Sequence, residues 1–156
     1  MRTDDLRYDE DTAFILADDA ATISALVRRT PEERLRAVMI GEWTAKEVIG
    51  HIADMADVYA ERVRRCVAED RPALPNVDQD AVHAERKNND ADAMALSKRI
   101  QAAHAAIVQV LQRREARERV GVHAERGPVT AGWLGAYQAR HSHEHVSELQ
   151  PHFPPR

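Results

Sequence analysis

The sequence predicts an all-α protein built as a helix bundle, and three observations carry that prediction. Four segments repeat apolar residues at helical spacing, and no stretch between them alternates apolar and polar residues as a strand would. Aromatic residues make up only 4% of the chain, while Ala, Arg, Glu and Asp are abundant, a balance that favours helices over sheets. At 156 residues the chain is long enough to bury a core as one domain, 1–156, and its single cysteine excludes an internal disulfide framework.

The first helix is expected from about Asp11 to Arg29, where Ala13, Leu16, Ala20, Ile23 and Val27 recur on one face. A short helix should follow, with Thr30 as its cap, Pro31 in its first turn and Glu33 closing a capping box; Gly41 would end it. Thr44 and Glu47 form a second box, with Trp43 and Val48 placed as a hydrophobic staple. The long helix starting there carries Val48, Ile52, Met55, Tyr59, Val63 and Cys66 and should end between Ala68 and Arg71, before Pro72. Residues 71–82 read as a connection packed on the surface, closing in a short helical piece through Arg86. Asp90 reads as the cap of the third long helix, with a stripe from Ala93 to Leu111 and an end near Glu115. Gly121 and Gly127 mark a loop, Thr130 caps the fourth helix through about Gln150, and the tail from His152 reads as loose.

Composition also excludes function classes. A formal net charge of −4 argues against a protein that works by neutralising phosphates, so no nucleic-acid partner is expected. No opening run pairs a basic with an apolar segment, and no apolar stretch approaches the roughly 20 residues that span a bilayer. With one cysteine, this points to a cytoplasmic protein with no membrane partner.

The chemistry concentrates in Arg140-His141-Ser142-His143-Glu144-His145. On a helix, His141 and His145 lie one turn apart on a face shared with Leu134 and Leu149, and His143 points the other way. Such a pair either binds a metal ion or packs in the core on neighbouring carboxylates. Two metal classes fail on spacing: Ser147 stands where a zincin needs its second histidine, and no histidine has Glu three residues before it, as a ferritin-like di-iron site requires. What remains is a mononuclear site completed from another helix, and His51 is the best placed, with Asp54 as an outer acceptor. His104 reads as a partly exposed polar residue; His83, His123 and His152 fall in connections or the tail, His123 as a candidate for a pocket mouth. Cys66, on the apolar stripe, reads as an inert buried thiol.

Trp43 through Asp54, Glu69 through Pro75 with Asp78-Gln79-Asp80, Gly127 through Thr130, and Ala139 through His145 together resemble the DinB-like superfamily in order and spacing, from the first helix to about Gln150. The resemblance implies a four-helix bundle connected down-up-up-down, with short extra helices in the connections. It implies a divalent metal ion, zinc or nickel, on the family's three histidines, here His51, His141 and His145, and a homodimer. Characterised members are transferases or isomerases using a low-molecular-weight thiol such as mycothiol, bacillithiol or glutathione. The expectation that follows is a metal-dependent thiol S-transferase acting on a small-molecule substrate. The alternatives are a metal-dependent hydrolase and a non-catalytic, metal-stabilised stress-response or binding module. For a cofactor's carboxylates only Arg62 and Arg140 offer themselves. Histidine ligation further implies that metal affinity falls below about pH 6.5, because a protonated imidazole cannot coordinate.

Overall fold

Side-chain caps start all four long helices. In the computed structural model, which describes residues 5–155, α1 (Glu10–Arg29) opens on a reciprocal Asp9/Thr12 box and α3 (Ala45–Ala68) on the expected Thr44/Glu47 box. Thr130 accepts from Trp133 N at the head of α7 (Ala131–Leu149). The cap of α5 (Ala93–Leu111) is Asp92 and not Asp90, which lies in a 3₁₀ turn over Asn88–Asp90; both aspartates precede the apolar stripe, and the turn decides between them. The helix also ends earlier than Glu115, and a single turn, α6 (Arg114–Arg117), follows it.

Two apolar clusters fix the helix directions. One joins Ala20–Val27 of α1, Ala45–Ala53 of α3, Ala93–Ile100 of α5 and the end of α7; the other joins Leu16, the C-terminal halves of α3 and α5, and the beginning of α7. Thus α3 and α5 run parallel to each other and antiparallel to α1 and α7, with α1 and α3 each packed between α5 and α7. This is the down-up-up-down bundle, and it needs a crossover, residues 69–92, to return the chain along its full length.

The crossover lies largely on the surface and closes in the expected short helix through Arg86, but it also contributes an unexpected strand. Its β3 (Ala73–Leu74) pairs in parallel with β4 (Val120–His123), which pairs antiparallel with β5 (Gly127–Thr130). The expected 119–128 loop is therefore a hairpin, turning at Gly127 with φ +73°. These strands are two to four residues long, too short to show an alternating pattern, and β3 finds its partner some fifty residues away. After β3 comes α4 (Gln79–Arg86), capped by Asp78, then Asn88, whose side chain occupies the space a Cβ on Gly50 would need. Asn88 Nδ2 donates to Asp54 at 2.9 Å, so this contact clips the crossover to α3 beside His51.

Three smaller expectations also change. The short helix is α2 (Glu32–Ala37); Pro31 caps it without a side-chain bond, and neither Thr30 nor Glu33 forms the box. Glu32 instead reaches across to the buried Lys46 and accepts from Ala93 N, tying α2 to the starts of α3 and α5. Gly41, with φ +68°, turns the small hairpin of β1 (Met39–Ile40) and β2 (Trp43–Thr44) and does not cap a helix. The tail is anchored: Phe153 is buried, and Arg29 and Arg34 donate to the Phe153 and His152 carbonyls.

Candidate metal centre

Two rows of side chains face each other where α3 and α7 pack antiparallel. On α3, His51, Met55, Tyr59 and Arg62 share a face because they recur every three to four residues; on α7, Trp133, Tyr137, His141 and His145 do so at steps of four. The packing brings His51 against the other two histidines. His141 Nε2 lies 3.1 Å from His51 Nε2 and 3.2 Å from His145 Nε2. The three rings are nearly perpendicular to one another, with interplanar angles of 78°, 88° and 87°. One ligand atom from each residue lies within 4.8 Å of the others, so the three can hold a metal ion.

Their hydrogen-bonding chemistry fits that role. An imidazole nitrogen offers one N–H or one lone pair, so His141 Nε2 can satisfy only one of its two neighbours. Among the described residues, the Nδ1 atoms of His141 and His145 are buried without a hydrogen-bond partner. With the protons on Nδ1, three lone pairs converge on one point, an arrangement that fits a bound cation. Burial, with the neighbouring imidazoles, pushes His51 down to about 4 and His141 down to about 3; His145 is lowered by burial as well. All three rings are therefore neutral donors at physiological pH. The expected loss of metal affinity below pH 6.5 moves lower for the same reason, because burial lowers all three imidazoles in the folded protein.

The surroundings differ from the sequence reading in several places. Asp54 is buried, but its oxygens accept from Asn88 and Arg99, and it acts on His51 only as a nearby charge. A carboxylate that the sequence reading passed over, Glu148, stands 3.5 Å from His145 Nδ1, one turn further along α7. His83 is not a bystander: its ring stacks on Trp43 at 4.0 Å, Trp43 meets His51 edge-on at 5.1 Å, and His83 Nε2 lies 3.3 Å from Glu47. The crossover thus roofs His51. His104 is buried, not partly exposed, with its Nδ1 2.8 Å from the Leu16 carbonyl and its Nε2 3.1 Å from the Gln138 amide. His143 points away from the triad, as expected, and meets Asp19 of α1. Cys66 is fully buried, and burial pushes its thiol up.

Beside the triad a cleft of about 380 Å³ runs between α3, α7, the crossover and the β4–β5 hairpin. Met55, Tyr59, Arg62, His123, Arg126 and Tyr137 line it. Tyr137 stacks on Tyr59 at 5.2 Å and on His141 at 6.4 Å, so the aromatic wall of the cleft continues into the triad. Tyr59 is pushed up to about 12, chiefly by burial, and keeps its proton. His123 is held in one tautomer: its Nδ1 accepts from Glu125 N and Arg126 N, which leaves Nε2–H as a donor. Arg140 lies outside, paired with Glu144. Among the described residues no helix is long and apolar enough to cross a membrane.

Comparison with known proteins agrees with this architecture. The chain is similar in structure to YfiT from Bacillus subtilis, described as a probable metal-dependent hydrolase with an unusual four-helix bundle topology. The TM-score is 0.76 at 22% identity, covering 89% of this chain and 82% of that one. It is also similar to a mycothiol-dependent maleylpyruvate isomerase, with a TM-score of 0.70 at 14% identity, covering 93% of this chain but only 64% of that one. A histidine-to-alanine variant of that isomerase matches with a TM-score of 0.69. At these identities the likeness is one of fold. No curated protein sequence matches the chain significantly. The profile of the DinB superfamily matches residues 16–149, from within α1 to the end of α7 and through both histidine segments, and the chain belongs to that superfamily.

Proposed function

We propose that this protein is a divalent-metal-dependent enzyme acting on small molecules, and that its reaction is the transfer of a low-molecular-weight thiol to an electrophile. The observation that carries the metal is the convergence of three neutral imidazole nitrogens from two helices, with His141 Nε2 3.1 Å from His51 Nε2 and 3.2 Å from His145 Nε2. When bound, zinc or nickel supplies a Lewis acid that lowers the pKa of a thiol or water beside it. The residues of the chain do the rest. His51, His141 and His145 hold three positions and stay unprotonated; Trp43 and His83 screen His51 from solvent; Tyr59 and Tyr137 present an apolar wall along which a substrate would lie. The only cysteine is buried and its thiol is raised, so a sulfur nucleophile has to come from outside the chain. The mycothiol dependence of the structurally similar isomerase supports this reading, although the chain spans 64% of that protein.

A hydrolase reading, with water in place of the thiol, draws support from the likeness to YfiT, 82% of which this chain covers. One experiment separates them. The protein is purified without chelator and loaded with zinc or nickel. It is then assayed with mycothiol, bacillithiol and glutathione against 1-chloro-2,4-dinitrobenzene, and with 4-nitrophenyl acetate in the absence of thiol. Thiol-dependent turnover supports the transferase, and thiol-independent ester cleavage supports the hydrolase. Metal uptake without either would mark a metal-stabilised binding module.

A further inference from the structure

The cleft beside the triad contains a cation that the bundle leaves without a counter-charge. Arg62 is only 7% exposed, and buried guanidinium groups are ordinarily paired with an acid. Here Nη2 donates to the Pro75 carbonyl at 2.7 Å and the guanidinium sits 5.1 Å from the Tyr59 ring centroid. Neither partner is an anion, and among the described residues Arg62 forms no ion pair. A guanidinium has five N–H donors, so most of its capacity is left for a ligand. Around it the cleft offers further donors: His123, locked with Nε2–H available, and the protonated hydroxyl of Tyr59. The two acids on the cleft, Asp78 and Glu125, are exposed and engaged, Asp78 as the cap of α4 and Glu125 with Asn76 Nδ2.

We propose that this cleft binds an elongated small molecule through a carboxylate, held by the Arg62 guanidinium and the His123 Nε2–H. Arg62 is eleven residues beyond His51 on the same face of α3, roughly 16 Å at the helical rise. Met55, Tyr59 and Tyr137 lie between them. The ligand therefore places its anionic end about three helical turns from the triad and lays an extended or planar body on the stacked tyrosines. Shorter acids reach one end only. The assignment of this cleft to the substrate side of the site rests on the proposed function, but the carboxylate contact does not require the metal.

Two kinds of molecule carry such a group: the thiol cofactor, when it is a peptide or other acidic thiol, and an acidic electrophile. Calorimetric titration distinguishes them with S-methylglutathione, which has the carboxylates but no free thiol, and trans-cinnamate, a planar conjugated acid, each beside the ester that blocks its carboxylates, with ammonium-bearing glycine ethyl ester as the control for the residual positive charge of the peptide ester. Both are titrated into the metal-loaded protein and into protein stripped with EDTA. Saturable binding of at least one acid, with its ester at least about tenfold weaker, is expected with and without metal. Arg62→Gln should weaken that acid about tenfold or more and His123→Gln severalfold, while Arg62→Lys keeps part of the affinity. Because Arg62 also holds Pro75, helicity and melting of each variant are measured alongside, and His123→Gln, at a half-exposed hairpin position, serves where Arg62→Gln does not fold. Binding of S-methylglutathione alone assigns the contact to the cofactor, and binding of cinnamate alone assigns it to the electrophile. Equal affinity for acid and ester, unchanged affinity in well-folded Arg62→Gln and His123→Gln, or no saturable binding of either acid would overturn the proposal. Failure of metal loading with carboxylate binding intact would count against the metal reading only.

Discussion

Two seams of the bundle bury histidines, and they bury them for opposite reasons. In the seam of α1, α5 and α7, His104 is 1% exposed and both its nitrogens have fixed partners, the Leu16 carbonyl and the Gln138 amide. Its ring is a structural bridge, complete without any added group. In the seam of α3 and α7, His51, His141 and His145 are buried or half-buried, but their Nε2 atoms point at one another and, among the described residues, the Nδ1 atoms of His141 and His145 make no hydrogen bond, Glu148 standing off His145 Nδ1 at 3.5 Å. Burial lowers the pKa in both places. Burial alone therefore does not single out a candidate ligand; unspent and convergent lone pairs do.

Substitutions break the comparison most sharply. His51→Ala or His141→Ala should lower zinc affinity on the order of a thousandfold, read by competition with a chromophoric chelator, because each removes one of three protein ligands. His104→Ala should leave metal stoichiometry at the wild-type value and cost about 2–3 kcal/mol in chemical denaturation, through a cavity and two unpaired buried groups. If His104→Ala lost the metal and His51→Ala kept it, the two seams would have been assigned the wrong way round. Gly50→Ala sits between these cases: a Cβ there collides with the Asn88 side chain at 2.2 Å, so the crossover must shift. It should cost about 1–3 kcal/mol and loosen the roof over His51, seen as faster hydrogen exchange in α4.

The pH dependence sharpens the same contrast. In the unfolded chain these imidazoles take up protons near 6.5, whereas the folded protein holds His51 near 4 and His141 near 3, with His104 and His145 also lowered. Between those values the unfolded state binds more protons, so the stability of the metal-free protein should fall steadily as pH drops from about 6.5 toward 4, with no matching change above 7. Metal affinity measured on folded protein should begin to fall only at a lower pH than free imidazoles would set, because all three ligands are lowered. A midpoint near 6.5 for metal release from protein that remains folded would show that burial does not depress these groups. The smallest effect expected is that of Glu148→Gln, about tenfold in metal affinity, if its carboxylate orients His145 through Nδ1 as outer acceptors do. Asp54→Asn should act mainly on stability, because that carboxylate is spent on Asn88 and Arg99.

The parts of this molecule that sequence reasoning reached are those controlled by neighbours a few residues away. The Thr44/Glu47 box, the Thr130 cap and the four apolar stripes are local patterns, and the bundle follows from them. That His51, His141 and His145 come together was legible for a related reason: helical spacing places two on one face, and His51 sits one turn into a helix whose start is sharply marked. What escaped depends on pairing across the chain. The sheet of β3, β4 and β5 is made of fragments that acquire strand geometry only from one another. His104 reads as an edge residue until α1 and α7 close over it. The choice between Asp90 and Asp92 as cap turned on one 3₁₀ turn seated against Gly50, and Glu148 could have been found as the carboxylate three residues after His145.

The proposed function stands on three imidazoles from two helices sharing one ion. X-ray absorption at the zinc edge of the reconstituted protein tests it most directly, together with metal content per chain. Expected are one equivalent of zinc with three imidazole nitrogens at about 2.0–2.1 Å, and one imidazole fewer in His51→Ala if any metal is retained. A protein that takes up no zinc or nickel when supplied, or zinc whose imidazole shell is unchanged in His51→Ala, would contradict it.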